Sequence, residues 1–177
     1  MLTNEQLTER WKRVRLFLCD VDGVLTDGTV TFSGHEEMKQ FHVFDGLGTR
    51  LLREHGGIKV GWISARPSAA TTRRAEELKV DFLYQDRAPK VAAIEGILAR
   101  AGCRWEEVCY MGDDLVDLGA LRRAGVAVCV PDALPAALAL AHYVTARPGG
   151  RGAVREVIEL ILKAQNKWEK LLRDYSA

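Results

Sequence analysis

The segment that decides the fold reads LFLCDVDGVLTDG and spans residues 16–28. It opens with three large apolar residues, which predict a buried strand, and Asp20 and Asp22 follow where that strand ends. A buried carboxylate is costly unless a cation or hydrogen-bond donors balance its charge. Neither aspartate has a Lys or Arg beside it in the sequence. A bound divalent metal ion is therefore the simplest explanation for the pair.

The spacing of the two aspartates indicates a shared site. Residues i and i+2 of a strand point to the same side, and Mg²⁺ prefers oxygen ligands. A carboxylate such as Asp20 can attack phosphorus and form an aspartyl-phosphate. A second one, Asp22, can protonate the leaving alkoxide and later deprotonate water. Taken alone, the motif is also typical of a plain turn with an Asp cap, because Asp and Gly are common in turns.

Further polar residues along the chain favour the catalytic interpretation. A strand-like run over 58–63 ends at Ser64, and another over 108–111 ends at the sequence GDDLVD of residues 112–117. Lys90 opens a predicted helix between them. Open α/β sheets place their ligand sites at the C-terminal ends of strands. A hydroxyl, an ammonium and a metal ion in one place fit phosphoryl transfer, although Lys90 could also be a solvated residue at a helix start.

With these four motifs in this order, the sequence resembles the haloacid dehalogenase superfamily of phosphatases. The resemblance implies that Asp20 is the nucleophile and a metal ligand. It also implies that Asp22 is the acid/base and binds the metal through its backbone carbonyl, and that Asp113 is the other metal ligand. Mg²⁺ is the implied cofactor. The resemblance further implies that Asp114 and Asp117 support the metal site from outside the set of direct ligands.

The same resemblance implies that Ser64 and Lys90 hold the transferring phosphoryl group. Arg66 could pair with a substrate carboxylate or phosphate, since Arg suits forked recognition of such groups; it could equally be a surface residue. Arg151 lies in the glycine-rich segment 149–152. We interpret that segment either as a flap that reaches a neighbouring site or as a plain loop.

Strands and helices alternate along the chain, which predicts an α/β fold. We expect one Rossmann-like domain over 1–177, with a parallel sheet covered by helices on both faces. A β-hairpin insertion at 28–45, with strands near 29–32 and 39–44, takes the place of a cap domain. A helix follows over 47–55, with Asp45 as its N-cap. Apolar residues at helical spacing predict one C-terminal helix over 153–175.

The predicted hairpin is relevant to whether the chain forms an oligomer. A lone two-stranded hairpin is marginally stable in water, so pairing with copies from other subunits would stabilise it and supply walls for the active site. Alternatively, the hairpin lies on its own domain and covers it. The hairpin, the opening at 20–28 and the tail RPGGRGAVRE at 147–156 resemble homotetrameric sugar-acid phosphatases of the superfamily. That resemblance implies a small-molecule substrate, the phosphate of an eight-carbon or nine-carbon keto sugar acid.

Composition limits the partners and the cellular compartment that we expect for this chain. The 177 residues carry a net charge of +1, which gives no reason to expect a nucleic-acid partner, and no apolar stretch has the length of a membrane span. The N-terminus lacks a signal-peptide pattern, and the four cysteines predict reduced thiols. We therefore expect a cytoplasmic protein without a membrane partner. The competing class is a non-catalytic oligomerisation module, which would have no need for the four motifs together.

Overall fold

The computed structural model describes residues 3–176. The strands are β1 (Leu16–Cys19), β2 (Thr31–Ser33), β3 (Glu36–Met38), β4 (Lys59–Ser64), β5 (Phe82–Gln85), β6 (Val108–Met111), β7 (Val126–Cys129) and β8 (Tyr143–Val144). The helices are α1 (Asn4–Lys12), α2 (Val43–Glu54), α3 (Ala69–Glu77), α4 (Lys90–Ala101), α5 (Leu118–Leu121), α6 (Pro135–Leu138), α7 (Ala153–Ala164) and α8 (Trp168–Asp174). Short 3₁₀ turns lie at Trp105–Glu107 and Leu115–Asp117.

Six strands form one parallel sheet in the order β5-β4-β1-β6-β7-β8. The central strand β1 pairs with β4 on one side and β6 on the other, with Leu16 opposite Lys59 and Val108. Helices pack around the sheet, which confirms the predicted α/β fold. Because β1, β4 and β6 are parallel neighbours, their C-terminal ends lie side by side. The residues that follow these three strands are therefore brought to one edge.

The central strands are buried along their length. Every residue of β1, β6 and β7 is buried, as expected for a parallel sheet that is covered on both faces. Among the largest fully buried side chains are Trp62, Tyr110 and Phe17. The Trp62 ring stacks on that of Phe41, with centroids 6.0 Å apart. This contact packs the segment after the hairpin against β4.

The hairpin is shorter than predicted. Its strands pair over 31–38 and form a separate two-stranded sheet, with Gly34 at φ +61° in the turn. The predicted second strand at 39–44 is wrong, because the last residues of that segment already belong to α2. The imidazole Nδ1 of His42 accepts a hydrogen bond from a backbone N–H of α2 and so acts as its N-cap. Apolar and polar residues keep alternating past the point where α2 begins, and this alternation is why the sequence pattern predicts a strand there.

Asp45 does not cap its own helix as predicted. It lies within the first turn of α2, where it is buried, and its carboxylate accepts hydrogen bonds from the N–H groups of Gly152 at 3.2 Å and Arg155 at 2.7 Å. The first N–H groups of a helix have no partner within that helix. Asp45 therefore caps the N-terminus of α7, and it joins α2 to a segment more than 100 residues away.

The predicted single terminal helix over 153–175 is two helices. It breaks between α7 and α8 at Asn166, which has a φ of +56°, in the left-handed region that Asn tolerates better than most residues. Gln165 donates to the carbonyl of Val14 at 2.8 Å, and Lys167 donates to that of Gly56 at 2.5 Å. These contacts to distant loops hold the break in place.

Candidate active site

Three carboxylates meet at the C-terminal edge of the sheet. Asp20 follows β1, and Asp113 and Asp117 follow β6; one oxygen of each lies within 4.8 Å of the other two. Gly23 has a φ of +93°, and a Cβ at that position would come within 2.2 Å of Asp113 Oδ2. The glycine of the first motif thus leaves the space that Asp113 occupies.

A buried lysine balances part of this charge. Lys90, the first residue of α4, places its Nζ 2.8 Å from Asp20 Oδ2 and 2.7 Å from Asp117 Oδ1, with a side chain only 2% exposed. Burial opposes the charged form, but Asp20 and Asp117 hold the pKa of Lys90 above its usual value. Lys90 is therefore a charged group inside the site and not a solvated residue at a helix start.

Asp117 organises the loop that carries Asp113. Its Oδ1 accepts from the Tyr110 hydroxyl at 2.5 Å as well as from Lys90. Its Oδ2 accepts from the N–H groups of Asp113 at 3.1 Å and Asp114 at 3.2 Å. Because four donors engage its two oxygens, Asp117 fits a supporting role, whereas Asp113 Oδ1 has no hydrogen-bond partner among the described residues and is available to a ligand.

The cluster carries more negative charge than one lysine can neutralise. Burial and the Asp117 carboxylate raise the pKa of Asp20 to about 7. Burial and the charges of Asp20 and Asp117 raise the pKa of Asp113 to about 8. Within the described residues, Asp113 Oδ1 is buried without a hydrogen-bond partner. Crowded carboxylates with a free buried oxygen fit a hard divalent cation such as Mg²⁺.

Ser64 and Asp22 lie next to this cluster. Ser64 is the last residue of β4 and is buried. Its Oγ accepts from the N–H of Arg66 at 3.0 Å and lies 3.5 Å from Asp22 Oδ2. The structure therefore brings the predicted hydroxyl, the acidic pair, the lysine and the acidic cluster to one place. The roles that we assigned to them remain predictions.

Two residues of the hairpin region reach the site, and the sequence did not reveal them. Lys39 Nζ donates to Asp22 Oδ1 at 2.6 Å. Glu37 pairs with Arg66, whose Nε lies 3.9 Å from Asp22 Oδ2. Alternation and turn residues predict the hairpin but not these contacts, for which the concentration of charge at 36–39 is a signal. Arg66, predicted to contact substrate, is 47% exposed and lies at the rim.

Asp114 and Arg151 lie farther out. Asp114 is exposed and caps the 3₁₀ turn by accepting from the N–H of Leu115 at 2.7 Å, and it is not part of the carboxylate cluster. Arg151 is exposed. The N–H of Gly150 donates to the carbonyl of Val24 at 3.0 Å, so the glycine-rich segment packs on the candidate catalytic loop, residues 20–28, of its own chain.

This edge of the sheet can support phosphoryl transfer. Asp20 presents a carboxylate at the end of the central strand, its Oδ1 fixed by the N–H of Val21 at 2.6 Å. Lys90 and Ser64 offer an ammonium and a hydroxyl to phosphate oxygens, and Asp22 offers a second carboxyl group.

No helix within residues 3–176 is long and apolar enough to cross a membrane.

Comparisons with known proteins point the same way. Residues 65–158 match the family model of haloacid dehalogenase-like hydrolases. The chain is 43% identical over 166 residues to the 3-deoxy-D-manno-octulosonate 8-phosphate phosphatase of Yersinia pestis, covering 93% of this chain and 88% of the relative.

Solved structures extend the likeness to the whole fold. The 3-deoxy-D-manno-octulosonate 8-phosphate phosphatase of Moraxella catarrhalis, solved with magnesium, phosphate and the sugar acid KDO, superimposes with a TM-score of 0.94 at 38% identity, over 98% of this chain and 99% of that one. The cobalt-bound deoxy-D-mannose-octulosonate 8-phosphate phosphatase of Haemophilus influenzae gives a TM-score of 0.90 at 33% identity, over 95% of this chain and 99% of that one. Both structures hold a divalent metal.

Proposed function

The chain belongs to the haloacid dehalogenase-like hydrolases, and we propose that it is a Mg²⁺-dependent phosphatase that hydrolyses 3-deoxy-D-manno-octulosonate 8-phosphate to the free sugar acid and phosphate. One observation carries the proposal: Asp20, Ser64, Lys90 and Asp113 meet at the ends of three neighbouring strands. A non-catalytic module has no use for this arrangement, and the similar enzymes supply the substrate.

The residues suggest a two-step reaction. The substrate phosphate binds between Ser64 and Lys90, and a carboxylate oxygen of Asp20 attacks phosphorus. The bond from phosphorus to the sugar oxygen breaks as Asp22 gives that oxygen a proton. Asp22 then takes a proton from water, the water oxygen bonds to phosphorus, and the bond to Asp20 breaks. Free Asp20 and phosphate result.

The metal site uses residues already in place. We assign Asp20, Asp113 and the backbone carbonyl of Asp22 as the Mg²⁺ ligands, with Asp117 and the more exposed Asp114 in supporting positions. When bound, Mg²⁺ neutralises charge on the phosphate oxygens and on the two buried carboxylates. The buried, unpartnered Asp113 Oδ1 supports this assignment.

Two arginines are proposed to meet the sugar acid. Arg66 lies at the rim of the site beside Asp22, and Arg151 lies on the segment that packs against the catalytic loop. Either guanidinium can pair with a substrate carboxylate. An eight-carbon sugar acid is favoured over the nine-carbon alternative, because the similar enzymes are named for the former.

We also propose that residues 1–177 act as one catalytic domain in a cytoplasmic homotetramer. The hairpin region exposes large apolar side chains, namely Val30, Phe32, Met38, Val43 and Phe44. Clustered exposed apolar residues are typical of association surfaces, and the hairpin is a short sheet with open edges. Sedimentation velocity checks the subunit number, and a monomer at working concentrations contradicts this assembly.

A phosphate-release assay tests the function. The purified chain receives the eight-carbon 8-phosphate or a nine-carbon keto acid 9-phosphate, each with Mg²⁺ or with EDTA. We expect Mg²⁺-dependent release with a higher kcat/KM for the eight-carbon substrate. A preference for the nine-carbon substrate overturns the substrate assignment, and the absence of release from either one overturns the enzyme assignment.

A further inference from the structure

A buried ammonium lies beside the site but outside its four motifs. Lys39 follows β3, and its side chain is 2% exposed. Its Nζ lies 2.6 Å from Asp22 Oδ1 and 3.6 Å from Glu37 Oε1. An exposed ion pair contributes little, but a buried ammonium must be paired to be tolerated. The hydrogen bond to Asp22 therefore holds the Lys39 ammonium and the Asp22 carboxylate together, and Glu37 adds a nearby negative charge without a hydrogen bond.

The two oxygens of Asp22 face different neighbours. Oδ1 is held by Lys39, whereas Oδ2 lies 3.5 Å from Ser64 Oγ and 3.9 Å from Arg66 Nε. Because Ser64 is the proposed phosphate contact, Oδ2 is the oxygen that faces the leaving group. The terminal torsion of an Asp side chain is broad and is restricted only by its partners. Holding Oδ1 is thus what directs Oδ2 toward the reacting phosphate.

Glu37 extends the contact into the hairpin. It lies on β3 and contacts the Arg66 guanidinium with one oxygen and approaches Lys39 with the other. Arg66 reaches the site from the loop after β4, so the pairs join the hairpin to the sheet on either side of Asp22. The hairpin and the residue that follows it therefore supply charged groups to the site.

We propose that Lys39 is a positioning residue that holds the Asp22 carboxyl group in the orientation needed for proton transfer to the sugar oxygen. The inference rests on the proposed function, because Asp22 acts as an acid only if the chain is a phosphatase. Within residues 3–176, the ion pairs of Lys39 are with the side chains of Asp22 and Glu37. Its proposed effect on the reaction is through the Asp22 side chain and not through the backbone carbonyl assigned to the metal.

Leaving-group dependence separates this role from a structural one. An alkyl phosphate such as the sugar-acid phosphate needs a proton on its leaving oxygen, whereas an activated aryl phosphate does not. We expect Lys39→Met to lower kcat/KM for the alkyl ester by about tenfold or more and for the aryl ester by less than about threefold. Lys39→Arg, which keeps the charge, should regain part of the loss. Lys59→Met, an exposed lysine at the opposite end of β4, should leave both values unchanged.

A double variant completes the test. If Lys39 acts through Asp22, Asp22→Asn combined with Lys39→Met should be no slower than Asp22→Asn alone. Equal losses on both esters, or a further loss in the double variant, overturn the proposal even where the wild type is an active phosphatase. A wild type that releases no phosphate overturns the proposed function itself. Retained aryl phosphatase activity in Lys39→Met shows that the variant is folded.

Discussion

The site has an inner half and an outer half that differ in how they are held. The inner half is formed by Asp20, Lys90, Asp113 and Asp117. These residues follow strands or open a helix, and the side chains of Lys90 and Asp117 are 2% and 0% exposed. The outer half is formed by Asp22, Glu37, Lys39 and Arg66. It lies between the catalytic loop and the hairpin, where Asp22 is 22% and Arg66 47% exposed.

The difference matches two chemical tasks. The inner half meets the phosphate and the metal, which every substrate of a phosphatase presents, and it is built on the ends of packed parallel strands. The outer half meets the leaving group, which differs between substrates. Groups on rigid elements are held more precisely than groups on loops. We infer that the inner half sets the rate of phosphoryl transfer and that the outer half adjusts the reaction to its sugar.

The largest expected effect falls on the inner half. Asp20→Asn removes the proposed nucleophile, and we expect turnover of the sugar-acid phosphate to fall by about 10³-fold or more, with an unchanged circular dichroism spectrum. Steady-state phosphate release measures the loss. Asp174→Asn, a change at an exposed residue of α8, is the matched control. Full activity in Asp20→Asn would refute the assignment of the nucleophile.

The outer half should respond to the leaving group. Asp22→Asn removes the proposed acid, and general acid–base catalysis contributes about 10²–10⁴-fold. We expect kcat/KM to fall by that order for the sugar-acid phosphate and by far less for an activated aryl phosphate. A series of aryl phosphates of graded leaving-group pKa measures the trend. Equal losses along the series would show that Asp22 is not the acid.

The glycine-rich segment 149–152 packs against the loop that carries Asp22. A Cβ at Gly149 would lie 1.8 Å from the carbonyl oxygen of Gly23, so Gly149→Ala must displace the loop that carries Asp22. We expect kcat/KM to fall by about tenfold. Gly96→Ala in α4, where a Cβ meets nothing within 4 Å, should keep activity and add about 0.5–1 kcal/mol of stability. Thermal melts and assays of both variants check this, and an unaffected Gly149→Ala would contradict the packing.

Magnesium should stabilise the inner half in a pH-dependent way. Burial raises the pKa of Asp20 to about 7 and that of Asp113 to about 8, whereas both groups are ionised above about pH 4 in the unfolded chain. Between these values the metal-free fold binds more protons than the unfolded chain, so its stability falls as the pH rises. Bound Mg²⁺ favours the ionised carboxylates and removes this loss.

The measurement is a thermal melt with and without Mg²⁺. At 100 times its dissociation constant a ligand adds about 2.7 kcal/mol, which is about 5–10 °C in Tm for a chain of this size. We expect a shift of that order at pH 8.5 and a smaller one at pH 5.5, and no shift at either pH for Asp113→Asn. Equal shifts in the wild type at both pH values would contradict the electrostatic account.

The inner half and the neighbouring Ser64 lie together as the sequence predicts. Short apolar runs that end in polar residues marked Asp20, Ser64 and Asp113, and parallel pairing of β1, β4 and β6 brings them together. Lys90 was found by its place in the motif order. A strand end and a helix start are local features, so a local pattern can predict them.

Long-range partners could not be predicted in the same way. The Lys39–Asp22 pair joins residues 17 positions apart across a hairpin, and Asp45 caps a helix 107 residues farther along the chain. Neither contact leaves a periodic signal. The break at Asn166 depends on contacts with Val14 and Gly56, which tertiary packing alone decides. Within the outer half, Asp22 and Arg66 were predicted from their motifs, whereas Glu37 and Lys39 were missed because only such contacts bring them to the site.

Covalent trapping tests the central claim most directly. Borohydride added during turnover of the sugar-acid phosphate reduces an acyl phosphate to the corresponding alcohol, and peptide mass spectrometry then locates the modified residue. We expect conversion of Asp20 to homoserine only when both substrate and Mg²⁺ are present. Modification of a different carboxylate, or continued turnover with no trapped residue, would contradict the account.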